Sequence, residues 1–226
     1  GTDVFAMDTG NGSSTIPAFD SGFPVDLGIL RKPAASQSWY TSARLIEGKY
    51  LFTDTTAAEA SVTAFPFDSN TGWAALSNYN TDYQSWMWKR HAGFDVVIMN
   101  DVDDDAPVGD HHIYRHGLGR KPEMIWLKRR DGTQSWNVYH KGLDGGSDPQ
   151  DKLLYLNLTN AEGSVDYYWG HANTLSSSHF AIRRNQTPDG DYIAMLFASV
   201  DGISKCGFYD GSDSEQTITT GFQPRF

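Results

Sequence analysis

The chain carries one cysteine, Cys206, in 226 residues. A single thiol makes no internal disulfide and no thiolate zinc site, so the fold rests on its core and can mature in a reducing cytoplasm. Cys206 reads as a small buried residue, although the adjacent Lys205 would lower a thiol pKa slightly. Long apolar runs are also missing. The longest, 193–198, has six residues, against the roughly 20 that a membrane-spanning helix needs. No charged-then-apolar leader pattern opens the sequence. Positive charge is scarce: 18 Lys plus Arg face 28 Asp plus Glu, for a net charge of −10. Phosphate neutralisation needs clustered cations, so the balance argues against a nucleic-acid partner, and Lys128-Arg129-Arg130 reads as a strand end. No G-x-S-x-G, H-E-x-x-H, P-loop or complete dinucleotide fingerprint is present. Glutamate is limited to Glu47, Glu59, Glu123, Glu162 and Glu215. None has the strand spacing of a sandwich glycosidase, and an Asp pair from separate strands is the one such arrangement left open. The expectation is a protein without catalytic activity.

Aromatics are plentiful, with 7 Trp, 11 Tyr and 12 Phe, and they recur. Gln37-Ser38-Trp39 returns as Gln134-Ser135-Trp136, an offset of 97. Ala58-Glu59-Ala60-Ser61-Val62 matches Ala161-Glu162-Gly163-Ser164-Val165, an offset of 103. The stretch 83–88 matches 192–197 at an offset of 109, and Gly93 then falls on Gly202. Segments 12–24, 109–122 and 211–224 each open on a Gly turn and close on Gly and then Pro. Growing offsets are what small loop insertions produce. Two domain-sized units are expected, 1–100 and 109–207, joined by an acidic linker, 101–108. Residues 208–226 read as the start of a third unit, or as a strand that closes onto the first unit or a neighbouring chain.

Short β-branched or aromatic runs, separated by Asp-Gly and Gly-Gly turns, fill both units. In the first they cover 27–31, 39–44, 50–53, 61–67, 73–77 and 84–90. In the second they cover 124–128, 136–140, 153–158, 165–169, 179–183 and 192–200. The expected fold is all-β, a tandem pair of antiparallel β-sandwich or jelly-roll domains. Short helices or turns are expected at 55–60 and 159–163.

Four features could carry chemistry. Asp101, Asp103, Asp104 and Asp105 offer the hard oxygens that calcium prefers, but the EF-hand spacing fails and a solvated linker explains them as well. His112 and His116 share one face of a strand, where copies meeting on an axis could ring a metal; a polar strand face is the plainer reading. No cofactor is otherwise expected. Tyr167 and Trp169 could stack on a sugar ring while His171 and Asn173 bond its hydroxyls, or the two aromatics fill the core. Trp39, Trp136, Trp88 and Phe197 read as core.

The run 117–130, followed by Trp136-Asn137-Val138-Tyr139-His140-Lys141, resembles a repeated domain of tailed-bacteriophage proteins that is frequent in marine phages. The likeness continues through Tyr155-Leu156-Asn157, Tyr168-Trp169, 192–198 and 202–207. The first unit shares it at 39–44, 86–90 and 93–97. The acidic run after Asn100 departs from it, since relatives usually have a Gly-containing turn there. The resemblance implies a concanavalin-like fold and a virion structural protein, a tail fibre or similar appendage acting in host attachment. It implies assembly in the host cytoplasm, other virion proteins as partners, and no catalytic motif. A homotrimer and recognition of a host surface glycan are the further expectations. Other readings are a secreted bacterial carbohydrate-binding module, a capsid decoration or head-fibre protein, and a sandwich glycoside hydrolase.

Overall fold

The computed structural model describes residues 3–102, 111–171 and 174–224. The chain is all-β. In order come β1 (Phe5–Thr9), β2 (Phe19–Asp20), β3 (Leu27–Arg31), β4 (Tyr40–Ala43), β5 (Lys49–Phe52), β6 (Ala60–Ser61), β7 (Gly72–Trp73) and β8 (Gln84–Trp88). There follow β9 (Phe94–Val102), β10 (His111–Arg115), β11 (Met124–Arg129), β12 (Asn137–His140), β13 (Lys152–Tyr155), β14 (Gly163–Ser164), β15 (His179–Arg183) and β16 (Gly190–Phe197). Two six-stranded antiparallel sheets form, β1-β8-β3-β4-β5-β6 and β9-β16-β11-β12-β13-β14. Two short ribbons, β2-β7 and β10-β15, accompany them.

The sheets match place for place. Leu30 faces Tyr40 and Tyr40 faces Phe52 in the first. Leu127 faces Asn137 and Asn137 faces Tyr155 in the second. Lys49 Nζ donates to Ser61 Oγ at 3.0 Å, and Lys152 Nζ donates to Ser164 Oγ at the same distance.

Strand alternation decides what each sheet buries. Leu27 and Ile29 of β3 point inward, with Ala43, Ile46 and Leu51, against Phe94, Val96, Ile193 and Met195 of the other sheet. Leu30 points outward to a second cluster built on Phe19, Phe65, Phe67 and Trp73. In β16, Tyr192, Ala194 and Leu196 point outward to a third cluster with Tyr139, Trp169 and Phe180. The result is a β-sandwich whose outer faces carry cores of their own. Gly28 permits the first of these, because a Cβ there would lie 2.3 Å from the Trp73 ring. Trp73 is fully buried and donates through Nε1 to Ser85 Oγ at 3.0 Å.

Polar contacts fasten the sheets at one edge. Arg130 Nε donates to Glu59 Oε2 at 2.8 Å, and Glu59 N–H donates to the Arg130 carbonyl at 2.7 Å. Lys128, with no exposed surface, donates to the carbonyls of Arg129, Thr56 and Gly132. Burial pushes its pKa down to about 8, the Arg129 charge pushes the same way, and Asp131 offsets them only in part.

The division differs from that expected of 1–100 and 109–207. β9 pairs with β16 from Phe94↔Phe197 to Gly190↔Val102, so residues 94–102 belong to the second sheet and not to the first unit or a linker. Each unit supplies one sheet, and the core between them is shared. Linker residues 103–108 lie outside the described residues. The runs 61–67 and 73–77 contract to Ala60–Ser61 and Gly72–Trp73, where Pro66 has no N–H for a ladder. The run 165–169 is no strand, because Asp166 and Tyr167 hold φ of 45° and 56°. Neither 55–60 nor 159–163 is helical; the Thr56 carbonyl and Glu59 amide bond the other sheet instead. Residues 208–224 contain no strand, and Phe208, Tyr209 and Ile218 stand exposed there.

Candidate functional site

The loop after β14 brings two of the four expected binding residues together, Tyr167 and His171, and buries a third, Trp169. Tyr167 is half-buried; its Oη donates to Asp148 Oδ2 at 3.0 Å and its N–H to Asp151 Oδ1 at 3.0 Å. The bond to Asp148 raises the phenol pKa. The exposed His171 ring lies 4.5 Å from Tyr167 and 5.7 Å from His111, whose Nε2 sits 2.9 Å from the Tyr167 carbonyl. Trp169, in contrast, has no exposed surface. Its Nε1 donates to the Lys152 carbonyl at 3.0 Å and its ring packs on Tyr139 and Tyr168. No ring face is left for a sugar, and the core reading holds for this residue. Asn173 lies outside the described residues.

The metal candidates separate. Asp101 is exposed at φ 52° in β9, with its N–H bonded to Asp191 Oδ1 at 3.0 Å. Asp103, Asp104 and Asp105 lie outside the described residues. His112 and His116 do share the face that carries Tyr114, with His112–Tyr114 and His116–Phe180 centroids at 5.8 Å and 6.5 Å. His116 Nδ1 accepts the Leu118 N–H at 3.3 Å, which makes Nε2 the donor to the Ser176 carbonyl at 3.3 Å. Both ring nitrogens are thus spent. Among the described residues no group of three or more His, Cys, Asp or Glu could hold a metal ion.

Two hollows remain. One, of about 450 Å³, lies at the sheet ends where Phe5, Trp88, Phe94 and Phe197 meet beneath Phe222 and Pro224. Cys206 lines it, and burial pushes its thiol up to about 11, which keeps it protonated and unreactive. Glu123 lies nearby in the fold. Burial raises its pKa, but bonds from Ser199 and Lys141 outweigh this and keep it low, so it acts as a structural anion. The other hollow, of about 390 Å³, is polar and sits on the outer face of the second sheet, among Gln134, Ser135, Asn137, Tyr155, Tyr168 and Gln186. Sequence reasoning missed it. The signal was available in the repeat: Tyr40 and Tyr50 of the first unit stand where the second has Asn137 and Leu153.

These features define an antiparallel β-sandwich of two like-ordered sheets with a polar hollow on one face. The chain belongs to the family described as a domain of unknown function (DUF7483), whose model matches residues 4–226. Comparison with curated proteins and with solved structures gave no match.

Proposed function

We propose that the chain is a structural domain of a tailed-bacteriophage particle, a building block of a tail fibre or similar appendage that acts in host attachment and not in catalysis. The observation that carries this reading is the shared core between two like-ordered sheets, reinforced by Glu59–Arg130 and Lys128. Such a body transmits load between its ends and leaves loops free to vary. The phage-like runs at 117–130 and 192–198 support the same reading. The like order of the sheets supports a duplicated unit. On this account the partners are other virion proteins and further copies of the chain around a threefold axis, a closed symmetry that suits a fibre. Proteomics of density-gradient-purified particles tests it. The chain should co-purify with the particles. Its recovery only from the particle-free fraction would contradict the proposal.

A further inference from the structure

The hollow on the second sheet has a filled counterpart on the first that shows why the space opens. At the matching place in the first sheet, Tyr40, Tyr50, Phe52 and Phe65 pack ring against ring, with centroids 4.9–6.0 Å apart. In the second sheet Asn137 replaces Tyr40 and Leu153 replaces Tyr50 on the same register. Two rings are lost, and about 390 Å³ opens between strands that are otherwise alike. A volume of this order suits a small ligand.

The groups around it are uncharged and only partly used. Asn137, 6 % exposed, donates through Nδ2 to Tyr168 Oη at 2.9 Å. Its Oδ1 has no protein donor among the described residues. The Gln134 amide meets Tyr192 Oη at 3.0 Å, whose one proton is shared with the Pro188 carbonyl at 2.7 Å, so the amide is only partly used. Ser135 Oγ accepts from Asn157 Nδ2 at 3.4 Å and keeps its own proton to give. Gln186 is exposed at the rim, and Tyr155 adds a half-buried ring. An apolar occupant would leave these donors and acceptors unpaired. An ion would find no counter-charge on the lining. Mixed amide and hydroxyl groups beside aromatic rings match a ligand that is itself rich in hydroxyls and carries apolar ring faces.

We propose that this pocket binds a neutral saccharide, a single sugar residue seated over Asn137 between Gln134, Ser135 and Gln186. The inference goes beyond the appendage reading and does not need it: a soluble sugar can be tested on the isolated chain, and a purely spacing domain needs no sugar site. Saturation-transfer difference NMR with millimolar glucose, galactose, mannose and N-acetylglucosamine is the test. At least one of these sugars should receive saturation. Asn137→Tyr, which restores the ring of the first sheet, should abolish it. Gln186→Ala, at the exposed rim, should leave the melting temperature unchanged and weaken binding about fivefold. The proposal is overturned if none of the four sugars responds. It is overturned equally if galactose 6-sulfate or N-acetylneuraminic acid responds more strongly than every neutral ring. Unchanged affinity in Gln186→Ala also overturns it, and that variant decides alone should Asn137→Tyr not fold.

Discussion

The indole N–H of Trp136 donates to the carbonyl oxygen of Phe52 at 2.8 Å, and so joins the second sheet to a strand of the first. Trp136 has no exposed surface, and its ring lies in the cluster shared by both sheets. Trp136→Phe keeps most of the ring and leaves the Phe52 carbonyl unpaired, at an expected cost of about 1–3 kcal/mol. Trp136→Ala also opens a cavity and should cost about 3–5 kcal/mol. Denaturant melts check both. A loss below ~1 kcal/mol for the alanine variant would mean that the sheets do not depend on this contact.

Gly28 should tolerate no side chain. The methyl group of Gly28→Ala would meet the buried Trp73 ring at 2.3 Å, and the ring cannot retreat without losing its bond to Ser85. Overpacking of this kind costs about 1–3 kcal/mol. A thermal melt equal to the parent's would show that Trp73 has room to move.

Acid should weaken the fold through three histidines that share one device. His91, His116 and His140 each accept, through Nδ1, the N–H two residues on, at 3.0, 3.3 and 3.1 Å. Burial lowers the pKa of all three; Arg120 beside His91 and Lys141 beside His140 push the same way, and Asp95 and Glu123 oppose at His116 and His140. A lowered folded pKa means that the unfolded chain binds protons first. Stability is therefore full above about pH 6.5 and falls as pH drops below it. Melting temperature should drop between pH 7.5 and 5, by about 2–4 °C per kcal/mol lost. The drop should shrink in His140→Gln, and a flat profile would refute the assignment.

Trp169→Ala should damage the fold and not merely a binding surface. The ring is fully buried against Tyr139 and Tyr168, and its removal should cost about 3–5 kcal/mol. Tyr167→Phe, which removes only the Oη bond to Asp148 on a half-buried ring, should cost under about 1.5 kcal/mol. Near-equal melts for the two variants would contradict this division.

Much of the fold was legible because alternation and aromatic recurrence are local signals. The runs 27–31 and 179–183 match β3 and β15 end to end, and the 97 and 103 offsets reappear in the strand registers. What failed was long-range. The runs 5–9 and 94–102 open the two units, and each becomes a strand only by pairing with a partner about 80 residues or more later, Phe5 with Trp88 and Phe94 with Phe197. Nothing in their own sequence names that partner, so the boundary fell too late. The site was hidden for the opposite reason. Trp169 looked like a platform because aromatic type alone does not tell a core ring from a surface one. The hollow at Asn137 is written in what is smaller there than in the first unit, which only a comparison of the two sheets reveals.

The reading as a load-bearing appendage domain meets its most direct test in electron microscopy of phage particles labelled with gold-conjugated antibody against this chain. The account predicts gold on tail fibres or similar appendages. Gold confined to the capsid surface, or unlabelled particles beside abundant free protein, would contradict it.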